Sequence, residues 1–194
     1  MNLFKRWQTL LLAAVAAICI GGAIGSVANA GEVYAFGVGV GIDGAYKATT
    51  LDLILKERMG RISEIEGTLS LYYKEEEDVF LAAFMIDLVY QWRWNIAGGL
   101  NFYAGPLTSV GLCLAGYTVT KNSPYIGHPI ETEELFYDAC WGIGAQTGVE
   151  YNFNDIGAPL ILSANIRPEL NFVKPKIVDV FSLSFHFGLS YTWK

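Results

Sequence analysis

Residues 179–193 fall into two columns. Phe181, Leu183, Phe185, Phe187, Leu189, Tyr191 and Trp193 occupy the odd positions, while Ser182, Ser184, His186, Gly188, Ser190 and Thr192 occupy even ones. Successive strand side chains point to opposite faces, so this segment reads as a strand with one apolar face and one small, mostly polar face. Two-column runs recur at Tyr34–Ile42, Phe80–Trp92, Tyr137–Phe153 and Leu160–Phe172. In a soluble sheet the second column faces water and is rich in Lys, Glu, Asp and Thr. Here it is dominated by Gly, Ser and Ala with scattered charges, which suits a narrow interior filled by side chains. The apolar column then faces lipid, the mark of a transmembrane β-barrel. A closed barrel is required, because lipid leaves the edge of an open sheet unpaired.

Composition agrees with this reading. Only 16% of the 194 residues are charged and 53% are hydrophobic, against about 25% charged in an average soluble domain. These values exclude a disordered chain, a collagen-like chain and a nucleic-acid binder. Segments at 32–42, 44–55, 62–73, 78–92, 99–117, 135–153, 159–173 and 179–193 make eight strands, an even number as bacterial barrels have. The predicted fold is therefore all-β: an eight-stranded antiparallel up-and-down transmembrane β-barrel. The second segment is the weakest, because Leu51-Asp52-Leu53-Ile54-Leu55 loses the alternation and leaves a short helix open. The connections Lys74–Glu77, Thr120–Glu134 and Lys174–Lys176 are polar, whereas Asn154–Ala158 is a compact turn. With eight strands both termini lie on the periplasmic side, and Trp92, Phe102, Tyr151, Phe153, Tyr191 and Trp193 gather there as an aromatic girdle.

Residues 1–30 read as a secretory signal peptide. Lys5 and Arg6 precede an apolar stretch, Leu10–Ile24, and Ala28-Asn29-Ala30 offers small residues for cleavage before Gly31. Residues 31–194 are then the barrel domain, with 11 basic against 19 acidic residues and a net charge of −8. That balance again argues against nucleic acid as a partner.

The opening Tyr34-Ala35-Phe36-Gly37 carries a family resemblance, as do Gly148-Val149-Glu150-Tyr151-Asn152-Phe153 and Pro159-Leu160-Ile161-Leu162-Ser163. Arg167-Pro168-Glu169-Leu170-Asn171-Phe172 completes the set. Through these the chain resembles the small eight-stranded outer-membrane β-barrels of Gram-negative bacteria, of the OmpX and OmpA-transmembrane-domain type. The resemblance implies a fold and an address in the outer membrane, not a reaction. In that class the last strand ends on an aromatic residue read by the barrel-assembly machinery; here Trp193 stands one residue before Lys194.

Parity points Lys47, Glu64, Glu66, Asp87, Asp138, Glu150, Arg167, Glu169 and His186 into the lumen. Buried charges must be paired or hydrated, so these form a charge network: two cations against six carboxylates. The expected result is a polar plug; the alternative is a narrow cation-preferring pore. Cys113 and Cys140 share the inward parity and lie nearly equidistant from the centre of the Thr120–Glu134 loop. They are expected to sit opposite each other on neighbouring strands as a candidate disulfide, with two separate lumen thiols as the alternative.

Barrel-type lipid A deacylases place Ser, His and an acid toward lipid. Ser184, His186 and Ser190 share a face, but it is the one opposite Phe185, Phe187 and Leu189, away from acyl chains. His128 is the second histidine and sits in the long loop, so the two histidines make no metal site. No cofactor motif is found. The acidic tips Glu75–Asp78 and Glu131, Glu133 and Glu134 read as solvated loops, with divalent cations between lipopolysaccharide phosphates as the alternative. Tyr125, Ile126 and His128 are candidates for surface contact. The expected protein is a monomeric integral outer-membrane barrel in lipid and lipopolysaccharide. Its expected role is non-enzymatic, structural or surface-contact; a lipid A-modifying enzyme is the other alternative.

Overall fold

The computed structural model describes residues 32–76, 79–122, 129–172 and 179–193. The expected signal peptide, Tyr125, Ile126 and His128 lie outside these residues, and so do the side chains of the two acidic tips. The described chain forms eight strands: β1 (Glu32–Asp43), β2 (Ala48–Arg58), β3 (Ser63–Glu76), β4 (Val79–Ala97), β5 (Leu100–Asn122), β6 (Pro129–Asn152), β7 (Leu160–Phe172) and β8 (Phe181–Thr192). Each pairs antiparallel with the next, and the sheet closes through β1 and β8, with Phe36 opposite Tyr191 and Asp43 opposite Ser184. The closed ladder leaves no edge within the barrel wall, the condition that lipid imposes.

One end carries the start of β1, the end of β8 and the connections β2–β3, β4–β5 and β6–β7; this is the terminal end. The β6–β7 connection is a single 3-10 turn, Phe153–Ile156. Asn152 caps it by accepting the backbone N–H of Asn154 at 2.9 Å, and Gly157 closes it at φ 86°, a left-handed conformation natural to glycine. At the far end β5 and β6 continue as a two-stranded ribbon. β4 accompanies β5 only as far as Tyr117, and β7 accompanies β6 only as far as Trp141.

β2 is the strand whose alternation is weakest in the sequence, and it is a strand in the structure. Residues 48–58 form a regular strand rather than a helix, and Thr50, Asp52, Ile54 and Lys56 point inward while Leu51 faces out. The alternation looked broken because Ile54 is an apolar residue on the inner column. It fills a hollow that glycines leave: a Cβ added at Gly188 would stand 2.7 Å from Ile54 Cδ1. Residues 44–47, expected in the strand, form a turn in which Asp43 Oδ1 accepts the Tyr46 N–H at 2.8 Å.

The outward column is exposed and apolar all round the wall, including Val40, Leu51, Ile86, Val110, Ile143, Leu162 and Phe187. A monomeric soluble protein rarely exposes an apolar patch beyond a few hundred Å², so this belt requires hydrocarbon around it. Phe187 sits at mid-strand between Val40 and Ala164. Phe187→Arg is expected to cost about 2–4 kcal/mol, the penalty for arginine on a barrel's lipid face at the bilayer midplane. Urea unfolding of the vesicle-embedded protein would measure it; an unchanged midpoint would mean the two columns are assigned inside out.

Candidate functional site: the charged lumen

The inner columns build three layers. Nearest the far end is an apolar plug of Tyr46, Tyr72, Leu81, Met85, Cys113 and Cys140. In the middle, Arg167 on β7 reaches across the bore. Its Nη1 donates to Asp87 Oδ2 at 3.0 Å, its Nη2 to Glu66 Oε1 at 3.3 Å and Thr68 Oγ1 at 3.3 Å, and its Nε to Gln146 Oε1 at 2.6 Å. The planar guanidinium, with five donors and a permanent charge, suits this convergence. Toward the terminal end, Lys56 on β2 contacts Glu150 at 2.9 Å, Glu66 at 3.2 Å and Glu64 at 3.6 Å. Glu66 thus touches both cations and couples the two layers. Gln146 bridges them a second time, donating to Glu66 and to Gln91 at 3.0 Å each, and Gln91 in turn donates to Glu64.

Tyr34 stands at the terminal mouth, half-buried. Its hydroxyl donates to Glu64 Oε2 at 2.5 Å, and its ring lies 4.8 Å from the guanidinium of Arg58 and 6.0 Å from that of Arg93. Arg93 also pairs with Glu150 at 3.3 Å and with Glu64 at 3.7 Å.

Of the expected lumen residues, Glu64, Glu66, Asp87, Glu150, Arg167, Glu169 and His186 are buried. Ser109 donates to Glu169. Two expectations are corrected. Lys47 does not enter the bore: it lies in the β1–β2 turn at φ 50°, exposed, 3.8 Å from the equally exposed Asp179. The turn displaces it from the strand's alternation, and Lys56 is the lumen lysine instead. Asp138 is half-exposed and outside the network; its carboxylate accepts the neighbouring N–H of Ala139 at 2.8 Å. Sequence reasoning missed Asp43, Asp52, Lys56 and Arg93. Lys56 and Arg93 lay just past strand ends drawn too short, and Asp52 lay in the segment whose alternation was unread.

The cysteine expectation is also corrected. Cys113 stands opposite Asp138, and Cys140 stands opposite Gly111, so the two are diagonal neighbours. Both thiols are free and buried. Diagonal positions across an antiparallel pair are about 7–8 Å apart, beyond the Cα spacing a disulfide spans without backbone movement.

His186 Nδ1 lies 2.7 Å from Asp52 Oδ2, and its Nε2 lies 3.2 Å from Ser184 Oγ. The order Asp–His–Ser is that of a nucleophilic triad. All three are buried in the bore, however, and Ser184 Oγ also donates to the Arg167 carbonyl at 3.4 Å. Among the described residues no group of three or more His, Cys, Asp or Glu is disposed to hold a metal ion.

The girdle residues sit on the outer surface at the terminal end. Trp92, Phe102, Tyr191 and Trp193 are exposed, and Tyr151 and Phe153 are half-buried with ring centroids 4.8 Å apart. Trp94, unforeseen, stacks on Phe102 at 5.7 Å. A second aromatic set, also unforeseen, marks the far end: Trp141 stacks on Phe172 at 4.1 Å, and Tyr73 meets Phe80 edge-on at 5.9 Å.

A closed eight-stranded wall, an apolar belt and a polar side-chain-filled bore define an outer-membrane-type β-barrel, and belt and fold together put the chain in the bacterial outer membrane. Among solved structures it is similar to Neisserial surface protein A, with a TM-score of 0.57 at 13% identity over 83% of this chain and 96% of that one. It is also similar to the attachment invasion locus protein Ail of Yersinia pestis (TM-score 0.49, 11% identity, 83% and 97% covered). A third similarity is to the N-terminal β-barrel domain of Pseudomonas aeruginosa OprF (TM-score 0.45, 14% identity, 84% and 100% covered). No protein-family description and no curated protein matches the sequence.

Proposed function

We propose that the protein is a non-enzymatic structural or surface-contact barrel of the outer membrane, with a lumen closed by interlocked side chains. The observation that carries this reading is the continuous chain of contacts from Asp87 through Arg167, Glu66 and Lys56 to Glu150. An eight-stranded bore is just wide enough for side chains to fill it, and here the fillers hold one another. In this reading the terminal end faces the periplasm, the β5–β6 ribbon faces outward, and the aromatic sets anchor both interfaces. The barrel works as a monomer among lipid and lipopolysaccharide, after export directed by residues 1–30 and insertion by the barrel-assembly machinery. Against the lipid-acting alternative stands the burial of Ser184 and His186 on the column opposite Phe185 and Phe187.

A second reading, a narrow cation-preferring path, draws on a charge imbalance. Asp43, Asp52, Glu64, Glu66, Asp87, Glu150 and Glu169 are buried, and Lys56, Arg93 and Arg167 pair with four of them, Glu64, Glu66, Asp87 and Glu150. Thr50 Oγ1, Asp52 Oδ1 and Tyr103 OH are buried without a protein partner there, a condition that ordered water ordinarily relieves. Planar-bilayer recording separates the two. The plugged barrel is expected to give no steady conductance; a steady cation-selective current that changes when Lys56 or Arg167 is replaced would replace the first reading with the second.

A further inference from the structure

We propose that the far-end plug contains a binding site for one soft monovalent metal ion, Cu(I), made by the sulfurs of Met85, Cys113 and Cys140. Met85, Gly111 and Cys140 occupy one row across β4, β5 and β6. Gly111, the middle member, has no side chain, so Met85 and Cys140 meet over it, with Sδ and Sγ 3.1 Å apart. A Cβ at Gly111 would stand 2.0 Å from the Phe84 carbonyl oxygen and 2.6 Å from the Met85 sulfur, so only glycine fits beneath the contact. Cys113 lies two residues along β5 on the same inner face and belongs to the same buried cluster. The Tyr46 hydroxyl, 3.9 Å from Met85 Sδ, covers the group from the β1–β2 turn.

The donor set selects the ion. Thiolate and thioether sulfurs favour Cu(I), whereas carboxylate and carbonyl oxygens favour Mg, Ca and Mn. Zinc in a structural site takes four ligands of the Cys and His type, and the described histidine, His186, is engaged with Asp52 and Ser184. The diagonal register keeps the two thiols from the face-to-face position that a disulfide needs. An ion placed between them can draw on both. On binding, two S–H bonds break and their protons leave to solvent. Two metal–thiolate bonds form, Met85 adds a third through a sulfur lone pair, and no oxidation state changes.

The test uses the full-length protein folded in detergent micelles, reduced and kept anaerobic, with Ag(I) and Cu(I) as probes against a competing chelator. One ion per barrel is expected. Cys113→Ser and Cys140→Ser should each weaken retention beyond the roughly 10–100-fold that changes behind the ligands produce. Met85→Leu, which conserves volume, should weaken it less than loss of a thiolate. The folded fraction of every variant is read from the unheated-versus-heated gel shift, so that loss of ion is scored on folded barrels alone. Failure of the folded wild type to retain either ion would overturn the proposal. Retention unaffected by both cysteine variants would do so too, as would a mass lower by two hydrogens before reduction, the sign of a native disulfide.

Discussion

Arg167→Ala is expected to destabilise the barrel by about 3–5 kcal/mol, the cost of removing one partner from a buried ion pair and leaving the other charge uncompensated. The substitution abandons Asp87 and removes one of the two cations on Glu66, and it strips a donor from Gln146 and from Thr68. None of these groups can turn to water, since Asp87, Glu66 and Gln146 are at most 2% exposed. The measurement is the urea midpoint in lipid vesicles, checked by the temperature at which the compact band is lost on unheated gels. A paired replacement, Arg167→Met with Asp87→Leu, should recover much of the loss, because exchanging a buried pair for apolar groups is often neutral. A loss under about 1 kcal/mol in the single variant would place the charges in water, and would favour the pore reading over the plug.

Lys56→Met is expected to have an effect of the same size, about 3–5 kcal/mol, through a different set of partners. It leaves Glu64, Glu66 and Glu150 facing one another, with Arg93 on two of them and Arg167 on the third. Adding Glu150→Gln should restore part of the stability by lowering the like-charge crowding. Because Glu66 touches both Lys56 and Arg167, the double variant of the two cations should depart from the sum of the singles by about 0.5–3 kcal/mol, as residues in one network do. Lys47→Ala is the control. Its pair with Asp179 is 64% and 62% exposed, so the midpoint should stay within about 0.5 kcal/mol of wild type.

How far the lumen could be read without the structure depended on which residues carried the alternation. β8 has Phe, Leu or Tyr at every outward place and small or polar residues at every inward place, so parity alone places Ser184 and His186 inside. β2 has leucines at 51, 53 and 55 with Ile54 among them, and one inward isoleucine erased the contrast. That hides Asp52 and Lys56, and the Gly44–Lys47 turn, which looks like strand in the sequence, lends Lys47 an inward parity that the structure does not give it. Arg93 continues the inward column of β4 one place past Trp92, where the apolar alternation in the sequence stops. The β5–β6 register is centred one residue before the midpoint of Cys113 and Cys140. That shift leaves both cysteines on the inner face but exchanges their partners.

Strand number, antiparallel closure, the lipid-facing belt and the inward side of most charged residues were determined by the sequence itself. They follow from a period of two and from the sizes of the side chains, which are local properties of the chain. Which cation meets which carboxylate was decided only by the tertiary structure, and so was the meeting of Met85 with Cys140 over Gly111. Those contacts join residues as far apart as 101 positions, as in Arg167 with Glu66. They depend on the register of every strand between them, and a slip of one residue along any ladder would redistribute them all.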